Sequence, residues 1–425
     1  MIRGKKIISD IFDSGVAPQV FHVLGAFDRF NYGDVLFAQV SKQLIMDEFP
    51  GAQIAFHGTH RSDLTEMGGV PTKPMRALYR EISRQTQPVR TVIVVAGGEV
   101  LGAPWHLMYE HAMSPMAART LRRIRHRIGS ERLDLVFKLL SRCPSVLPWI
   151  PDPVTFTTTG TVDVIYNSVG GQGVGLGYAE MTQWQRSSLA KASWLSVRDA
   201  KTADRIVALG LPKPRLSPDS AVLMAEMQSP LALRGHRSAV WGRMKSEGFV
   251  ENGYLCVQCG MKYFDKNETV LVDQIQRVHA QYGLPIVGFA IGRAAGHEDH
   301  IVARRLAERL GHPSWFSLAP EDMTIWEIMS LIAGSACYVG SSLHGYITAF
   351  AFAKPRVGLA SIGKIVGFRD AWDIPEMPAG PSFPEIAEAV GRALAQDRGA
   401  MRAQADQVAR QYRADTVDMW SSLRH

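Results

Sequence analysis

The sequence predicts an α/β fold made of two Rossmann-like domains that face a central cleft. The chain has 425 residues, which is more than one hydrophobic core usually organises. Short apolar runs typical of strands alternate with helical periodicity, and this alternation indicates parallel sheets. The alternation begins again in the second half of the chain. We therefore expect two sheets, with ligands bound where their strands end.

The first half of the chain follows a doubly wound pattern. An apolar run at residues 19–27 leads through a turn into a helix, and a second strand follows. A run of Val and Ile at 91–96 ends in Gly97 and Gly98, as expected for a strand buried on both faces of a parallel sheet. The glycine-rich loop at 170–175 lacks the later acidic strand end of a dinucleotide site, so we do not expect nicotinamide binding.

The second half restarts with strands at 254–260, 285–292 and 336–341, which are separated by helices. Residues 225–253 lack a clean period, which indicates a crossover between domains. These limits predict an N-terminal arm (1–18), an N-terminal Rossmann-like domain (19–225) and a linker (226–249). A C-terminal Rossmann-like domain (250–395) and closing helices (396–425) follow.

The composition narrows the class of protein. Lys and Arg number 47 against 40 Asp and Glu, and the resulting positive charge suits anionic small molecules, phosphorylated carriers or an anionic membrane surface. No basic patch is interleaved with aromatic residues, so nucleic acid is not an expected partner. No apolar run reaches ~18 residues, and the N-terminus lacks a signal-peptide pattern. We therefore expect a cytoplasmic protein.

The four cysteines are too scattered for a disulfide framework. Cys256 and Cys259 have zinc-ligand spacing, but they lie in an alternating strand pattern and no second pair follows, so two strand cysteines are the better interpretation. No cluster of carboxylates or histidines has a convincing ligand spacing. We expect neither a metal nor a cofactor.

The most informative segment is 336–364, in which a strand ends and a turn of small hydroxylated residues precedes a helix. The free backbone N–H groups at such a helix start can hold a phosphate. Within this turn, His344 has the residue type for donating a hydrogen bond or moving a proton near neutral pH. The alternative is a helix-cap histidine with a structural partner.

These residues and three earlier segments, in the same order, resemble the polysaccharide pyruvyl transferase family. The late signature is matched by Leu343, His344, Gly345, Lys354, Pro355 and Lys364. The earlier matches are the N-x-G-D turn at 31–34, the Gly-rich loop at 96–98 and the S-x-R-D motif at 196–199, which is followed by Pro218 and Asp219. Each motif alone is weak, but the ordered set makes coincidence unexpected.

The resemblance implies a GT-B-like transferase of exopolysaccharide biosynthesis. It would move a pyruvyl group from phosphoenolpyruvate, as co-substrate, onto a sugar of a cell-surface polysaccharide or its lipid-linked precursor, forming a ketal. The implied proton-transfer residues are His344, Asp34 and Asp199. Donor binding is expected from Arg198, Ser341, Ser342, Leu343, Gly345, Lys364 and Arg293. Asn31, Gly97 and Gly98 are expected at the acceptor or in the cleft.

Simpler roles stay open for several of these residues. Asp34 and Asp199 are also well placed to cap the helices that follow them, and Asp199 has a second option in pairing with Arg198. Asn31 has the residue type that satisfies its own turn, and a Gly pair such as Gly97 and Gly98 is commonly just a tight turn.

One position departs from the family. Ser342 stands where the family has Arg, and a hydroxyl cannot replace a planar bidentate cation. Either Arg293, Arg356 or Lys364 supplies that charge, or the donor differs. Two alternatives therefore stay open: a GT-B-type glycosyltransferase that uses a nucleotide sugar, and a catalytically silent member that binds a glycan or a partner protein.

An arginine-rich stretch forms the remaining signal. Its cations are Arg119, Arg122, Arg123, Arg125, Arg127 and Arg132. One interpretation is a solvated helix face. The other is a peripheral membrane helix that binds anionic lipid or the diphosphate of a polyprenyl-linked acceptor, with Trp149 near the headgroups.

Overall fold

The computed structural model describes residues 20–244, 249–293, 298–359, 362–378 and 380–424. The predicted N-terminal arm, 1–18, lies outside these residues. None of the helices in the described ranges has an apolar stretch of the length needed to cross a bilayer. The described chain forms two sheets, each dominated by parallel strands.

The first sheet places its earliest strand near its centre. Its strands are β1 (Val20–Leu24), β2 (Gln53–Gly58), β3 (Ser62–Asp63), β4 (Pro71–Pro74), β5 (Thr91–Ala96), β6 (Val162–Val169), β7 (Trp194–Val197) and β8 (Arg215–Leu216). Their order is β3-β4-β2-β1-β5-β6-β7-β8, and only the β3–β4 pair is antiparallel. All six side chains of β5 are buried, as its Val/Ile run predicts.

Helices cover both faces of this sheet. They are α1 (Tyr32–Glu48), α2 (Met75–Ser83), α3 (Trp105–Ala112), α4 (Pro115–Ile128), α5 (Ser130–Ser141), α6 (Ala179–Leu189) and α7 (Ala200–Ala208). The chain then continues through α8 (Met224–Met227) and α9 (Pro230–Arg243) towards the second domain. The glycines at 102 and 173 let two loops meet, because a Cβ on Gly102 would lie 2.6 Å from the Cα of Gly173. Close backbone packing therefore explains part of the glycine-rich loop at 170–175.

The second sheet is smaller and entirely parallel. It contains β9 (Leu255–Gln258), β10 (Ile286–Gly288), β11 (Phe316–Leu318), β12 (Cys337–Gly340) and β13 (Arg356–Gly358), in the order β11-β10-β9-β12-β13. Its helices are α10 (Met261–Tyr282), α11 (Asp299–Leu310), α12 (Ile325–Ala333), α13 (Leu343–Ala351), α14 (Gly363–Trp372), α15 (Ile386–Leu394) and α16 (Arg398–Ser421). Cys256 lies in β9, Cys259 follows it, and both are buried free thiols.

The predicted linker at 226–249 is more ordered than its irregular sequence pattern indicates. It contains α9, which begins because the Ser229 hydroxyl accepts from the Ala232 N–H at 3.1 Å and Pro230 occupies the first helical position. Arg237 of α9 donates to the Ser330 carbonyl of α12 at 3.1 Å. The crossover segment is thus packed on the second sheet's helical layer.

The closing helix α16 returns to the first sheet. The Trp420 ring meets the rings of Phe21 and Phe49 edge-on, with centroid distances of 6.1 and 5.4 Å. Two turns nearer the N-terminus of α16, the Tyr412 hydroxyl exchanges hydrogen bonds with the Asn167 side chain. The chain therefore passes between the two sheets twice.

The arginine-rich stretch forms α4 and the start of α5. Arg122 and Arg125 pair with Glu110 at 2.8 and 3.7 Å. The expectation that Trp149 lies near lipid headgroups is wrong. Its side chain is 1% exposed, because the indole packs into the core and its N–H donates to the sulfur of Met108.

Candidate active site

A cleft of about 340 Å³ lies between the two sheets, where the strands of both sheets end. The contact between the domains beside it is direct. The Tyr32 N–H donates to the Ile291 carbonyl at 3.1 Å, and the Tyr32 hydroxyl lies 2.9 Å from the Thr348 hydroxyl. The first turn of α1 is therefore docked on the second domain. The cleft brings together many of the predicted site residues: Asn31, Asp34, Gly98, Arg198, Ser341, Ser342, Leu343, His344 and Lys364.

Four other predicted residues do not line this cleft. Asp199 is the N-cap of α7, and its carboxylate accepts from the Thr202 N–H at 2.8 Å and from the Thr202 hydroxyl. The Arg293 guanidinium stacks on the Phe30 ring, 4.2 Å from its centroid. The remaining two positions, Gly97 and Gly345, pack against the Phe37 ring and the Tyr338 hydroxyl respectively, where a Cβ would collide.

The turn before α13 presents the helix N-terminus to the cleft. The Ser342 hydroxyl caps the helix by accepting from the Gly345 N–H at 3.4 Å. The N–H groups of Ser341 and Ser342 donate to Oε1 of Gln258 at 3.1 and 3.0 Å. Within the described chain, the next two N–H groups, of Leu343 and His344, have no acceptor. Together with the helix dipole they form a site for an anion.

His344 projects from the first turn of α13 towards the first domain. Its Nε2 lies 3.8 Å from Oδ2 of Asp219, beyond hydrogen-bond distance, and makes no hydrogen bond. The imidazole meets the Phe37 ring edge-on at 5.0 Å. Gly33 makes room for it, since a Cβ at position 33 would overlap the imidazole. The N-x-G-D and L-H-G motifs are thus in contact across the cleft.

The N-x-G-D turn divides two roles between Asn31 and Asp34. Asn31 is the N-cap of α1, and its Oδ1 accepts from the Gly33 N–H at 3.2 Å. Asp34 is therefore not the cap. Its carboxylate lies in the cleft with Oδ2 3.9 Å from the guanidinium of Arg29. This arrangement leaves Asp34 available for proton transfer.

Arg198 lies at the centre of a buried ion network rather than facing the cleft as a free cation. Its Nη2 donates to Glu99 at 2.7 Å and its Nη1 donates to Asp219 at 2.9 Å. Burial opposes the charge on Arg198, but the two carboxylates raise its pKa. Asp219 is buried too, yet His344 and Arg198 lower its pKa. Two of the Arg198 nitrogens are therefore engaged, and the guanidinium positions Asp219 beside His344. Arg198 also lines the cleft, and donor binding by it stays a prediction.

Three other cations line the cleft: Arg29, Lys262 and Lys364. Nη1 of Arg29 is buried and lies 3.8 Å from Oδ1 of Asp28, and it forms no hydrogen bond within the described chain, so an anion in the cleft could accept from it. Burial and the nearby Arg198 lower the pKa of Lys364. Of the three substitutes proposed for the family's missing Arg, only Lys364 is in the cleft. Arg356 is fully buried and paired with Asp373, and Arg293 is stacked on Phe30.

Sequence reasoning missed Arg29, Lys262 and Asp299. Arg29 lies two residues before the N-cap Asn31, and this position next to a recognised motif was the available signal. No comparable signal marks Lys262.

Asp299 stabilises the turn before α13 indirectly, through the Gln258 side chain. Its Oδ2 accepts from Nε2 of Gln258 at 2.9 Å and from the N–H groups of Gly292 and Ile291 at 3.1 and 3.2 Å. Burial raises the pKa of Asp299 to about 7. Gln258 in turn holds the N–H groups of the turn. Asp299 begins α11, and a lone Asp at a helix start carries no signal of this role.

A group of possible metal ligands lies outside the cleft. His22, His57 and Glu81 have ligand atoms within 4.8 Å of one another. Nδ1 of His22 and Nε2 of His57 lie 2.9 Å apart, and Glu81 is paired with Lys73. The other ring nitrogens, Nε2 of His22 and Nδ1 of His57, are buried and form no hydrogen bond within the described chain.

Solved structures of similar fold support the architecture. A UDP-GlcNAc 2-epimerase from Methanocaldococcus jannaschii superposes with a TM-score of 0.54 at 12% identity, covering 94% of this chain and 99% of that one. The enzyme from Neisseria meningitidis bound to UDP-GlcNAc gives 0.53 at 10% identity, covering 94% and 98%. These similarities confirm the predicted GT-B-like arrangement of two Rossmann-like domains.

Comparison of the sequence with curated proteins gives no match. The family comparison is positive: residues 169–362 match the model of the polysaccharide pyruvyl transferases, a transferase family. The matched range includes the S-x-R-D motif, Asp219 and the L-H-G turn, while the N-x-G-D turn and Lys364 lie outside it. The resemblance stated from the motifs is thereby confirmed over residues 169–362, which are similar to the polysaccharide pyruvyl transferase family.

Proposed function

We propose that this protein transfers a pyruvyl group from phosphoenolpyruvate to a sugar of a cell-surface polysaccharide or its lipid-linked precursor, as a ketal. The observation that carries the proposal is the N-terminus of α13 at the cleft, with His344 in its first turn and Lys364, Arg29 and Asp34 in the same cleft. Phosphoenolpyruvate carries a phosphate and a carboxylate close together, so it needs two adjacent anion sites.

The two anion sites have different chemistry. The N–H groups of Leu343 and His344, with the Ser341 and Ser342 turn, would hold the phosphate. Lys364 and Arg29 would hold the carboxylate or a second phosphate oxygen. Nη1 of Arg29 supports this assignment: it lies 3.8 Å from Oδ1 of Asp28 but forms no hydrogen bond within the described chain, and an anion would supply the missing acceptor.

The reaction requires one acid and one base. A proton added to the donor methylene makes it a methyl group and leaves a cationic carbon, which a sugar hydroxyl attacks while losing its proton. The C–O bond to phosphate then breaks, phosphate leaves with the electron pair, and a second hydroxyl closes the ketal. We assign proton donation to His344 and proton acceptance to Asp34. The proton of the second hydroxyl leaves with the phosphate.

The departure at Ser342 fits this proposal. In place of a cation, Ser342 supplies the cap of α13 and keeps the helix start in position. Lys364 lies in the same cleft and supplies a positive charge there. The charge expected at the family's Arg is therefore provided from α14 rather than from the turn itself.

Ligand binding tests the proposal against the glycosyltransferase alternative. Purified protein is titrated with phosphoenolpyruvate, UDP and UDP-GlcNAc while its thermal stability is followed. We expect stabilisation by phosphoenolpyruvate, with the Kd raised roughly ten- to a hundredfold by Lys364→Gln or Arg29→Gln, since charge-assisted hydrogen bonds contribute about 1.5–3 kcal/mol. Lys201→Gln and Arg410→Gln, exposed cations on α7 and α16, are the matched controls.

Stabilisation by the nucleotides alone would reject the proposal in favour of a nucleotide-sugar enzyme. The silent-member alternative needs a second readout, which is phosphate release from phosphoenolpyruvate in the presence of candidate sugar acceptors. Donor binding without release for any acceptor would favour the silent member.

A further inference from the structure

The outward face of α5 is apolar although it is exposed. Leu135, Val136, Leu139 and Leu140 are 46–67% exposed and follow one another at helical spacing, so they form one surface, the leucine face. The opposite side of α5 is buried through residues such as Phe137. Contiguous exposed aliphatic side chains of this kind are unusual unless another apolar phase covers them.

Several cations of the α4–α5 hairpin, which carries the leucine face, form no ion pair within the described residues. On α4, Arg123 and Arg127 form no ion pair within the described chain, and Arg132 of α5 forms none either. Ile124 and Ile128 are exposed on α4 beside these arginines. The α4–α5 hairpin therefore combines exposed aliphatic and unpaired cationic side chains, which is the composition of a helix that lies on an anionic membrane.

A basic groove continues from the end of α5. It has a volume of about 730 Å³ and lies between α2, the loop after β2 and the C-terminus of α5. The cations that line it are Arg61, Arg76, Arg80 and Arg142. No acidic side chain lines it, and none of these four arginines has an ion pair in the part of the chain that the structure describes.

The groove is built so that its charges lie near one another. Arg76 and Arg80 are one turn apart on α2, where like charges repel. Arg142 ends α5 in the left-handed conformation, with a φ of 52°, which is uncommon for a residue other than glycine. Such an arrangement is stabilised by an anion with several oxygens, and a phosphate group matches the arginine geometry.

The leucine face and the groove are continuous. Leu140 is part of the leucine face and also lines the groove, next to Arg142 and Tyr109. A ligand with a phosphate beside a hydrocarbon phase would contact both surfaces at once. A second copy of this chain is a poor occupant, because a twofold contact would bring the two sets of arginines together.

We propose that the leucine face sits on an anionic lipid bilayer and that the basic groove takes a lipid phosphate headgroup at its surface. This inference deepens the proposed function and rests on it in one respect: it makes the acceptor a lipid-linked sugar rather than a free polysaccharide.

Vesicle co-sedimentation of the full chain tests the proposal. The probes are vesicles of phosphatidylcholine alone and of phosphatidylcholine mixed with phosphatidylglycerol. We expect binding to the mixed vesicles only, weakened by added salt. Replacing Arg76 and Arg80 by Gln should lower the partition coefficient by roughly twenty-five-fold, at roughly fivefold per charge. The variant Leu135→Ser/Leu139→Ser should abolish binding, while Leu231→Ser, an exposed leucine of α9, and Arg410→Gln should leave it unchanged.

A second experiment, in solution, distinguishes binding to a membrane from binding to a free phosphate. Inorganic diphosphate is titrated by calorimetry into wild type and both variants. Binding to vesicles that needs the leucines as well as the arginines supports the proposal. Diphosphate binding combined with vesicle binding that ignores the leucine variant would show a soluble-phosphate site and overturn it. So would an absence of vesicle binding, or a leucine variant that only converts a dimer to a monomer in gel filtration.

The failures of the two proposals are distinguishable. Phosphoenolpyruvate binding is measured without vesicles and depends on the cleft. Loss of vesicle binding with intact phosphoenolpyruvate binding would overturn the membrane inference alone. Intact vesicle binding with no response to phosphoenolpyruvate would overturn the proposed function alone.

Discussion

Helices α1 and α13 both begin at the cleft, but their N-termini are occupied differently. The start of α1 is neutralised: Asn31 caps it, the Tyr32 N–H donates to the second domain, and Asp34 places a negative charge in its first turn. The start of α13 has a cap but no acidic residue in its first turn, and two of its N–H groups are free within the described chain. The comparison supports the proposal that the anionic donor binds at the start of α13 and that Asp34 of α1 is the base.

The largest expected effect comes from the contact that joins the two helix starts. Gly33→Ala places a methyl group where the His344 imidazole lies, so the imidazole must move. We expect kcat/KM for pyruvyl transfer to fall at least about a hundredfold, because a displacement of about 1 Å in a reacting group has this cost. Steady-state kinetics and thermal unfolding measure the change.

The control is Gly235→Ala on α9, where a Cβ meets open space. It should leave activity unchanged and raise the free energy of unfolding by up to about 1 kcal/mol, as Ala for Gly does within a helix. Wild-type kinetics in Gly33→Ala would show that the imidazole position does not matter for the reaction.

The second prediction compares the carboxyl groups that support the two sides of the cleft. Asp28, beside the N-x-G-D turn, accepts from the Thr59 hydroxyl and the His60 N–H. Burial opposes its ionisation, yet His60, Arg29 and Thr59 hold its pKa below the usual value. Asp299, behind the α13 turn, has its pKa raised by burial to about 7. The two groups should therefore respond to pH in opposite directions.

The signs follow from proton linkage. A carboxyl group whose pKa is lower in the folded state stabilises the protein at pH values above its unfolded-state pKa, and this stabilisation is lost as the pH falls through its folded-state pKa. Asp28→Asn should therefore destabilise the protein at pH 7 and not in acid. For Asp299 the pKa is about 7 in the folded state against 3.8 for an ordinary Asp, so the carboxyl group destabilises the folded protein increasingly as the pH rises from 3.8 to about 7. Asp299→Asn should therefore stabilise the protein by about 3 kcal/mol more at pH 8 than at pH 5.

Urea unfolding of wild type and both variants across this pH range measures the two effects. Asparagine at 299 keeps an oxygen for the three donors, so the comparison isolates charge. Parallel pH profiles for the two variants would contradict the assignment of opposite environments.

The smallest expected effect concerns the two caps. Asn31→Ala and Ser342→Ala each remove one side-chain acceptor, and each should lower the free energy of unfolding by about 1 kcal/mol. Ser342→Ala should also weaken phosphoenolpyruvate binding severalfold, and more than Asn31→Ala does, because only the α13 start is open to the donor. Ser229→Ala, the cap of α9, is the control that should change stability alone. A stability change without an affinity change in Ser342→Ala would make that turn purely structural.

Local pattern was enough to predict the elements that bring residues to the cleft. The Val/Ile run of β5, the turn before α13 and the N-x-G-D turn each carry their signal within a few residues, and each lies at or next to the cleft. The caps were less certain, because Asn31 and Asp34 are both good cap residues and only the backbone conformation decides between them.

Pairing between distant segments could not be predicted. Arg198 contacts Glu99 and Asp219, which are 99 and 21 positions away in sequence, so nothing near Arg198 indicates that its nitrogens are engaged. The role of Asp299 is of the same kind, since it depends on how β9 and β10 place Gln258 and two backbone N–H groups. The periodicity of apolar residues in the sequence indicates which face of a helix or strand is buried. It does not indicate which loops come into contact in the folded chain.

The return of α16 to the first sheet has a consequence for biosynthesis of the chain. Phe21 of β1 packs against Trp420 of α16, and the Asn167 side chain of β6 hydrogen-bonds to Tyr412 of the same helix. Because domains generally fold as the ribosome releases them, N-terminal first, the first domain emerges with part of its apolar surface uncovered. It remains incomplete until α16 has left the ribosome, so nascent chains stalled before residue 398 should be the species that chaperones hold and that aggregate.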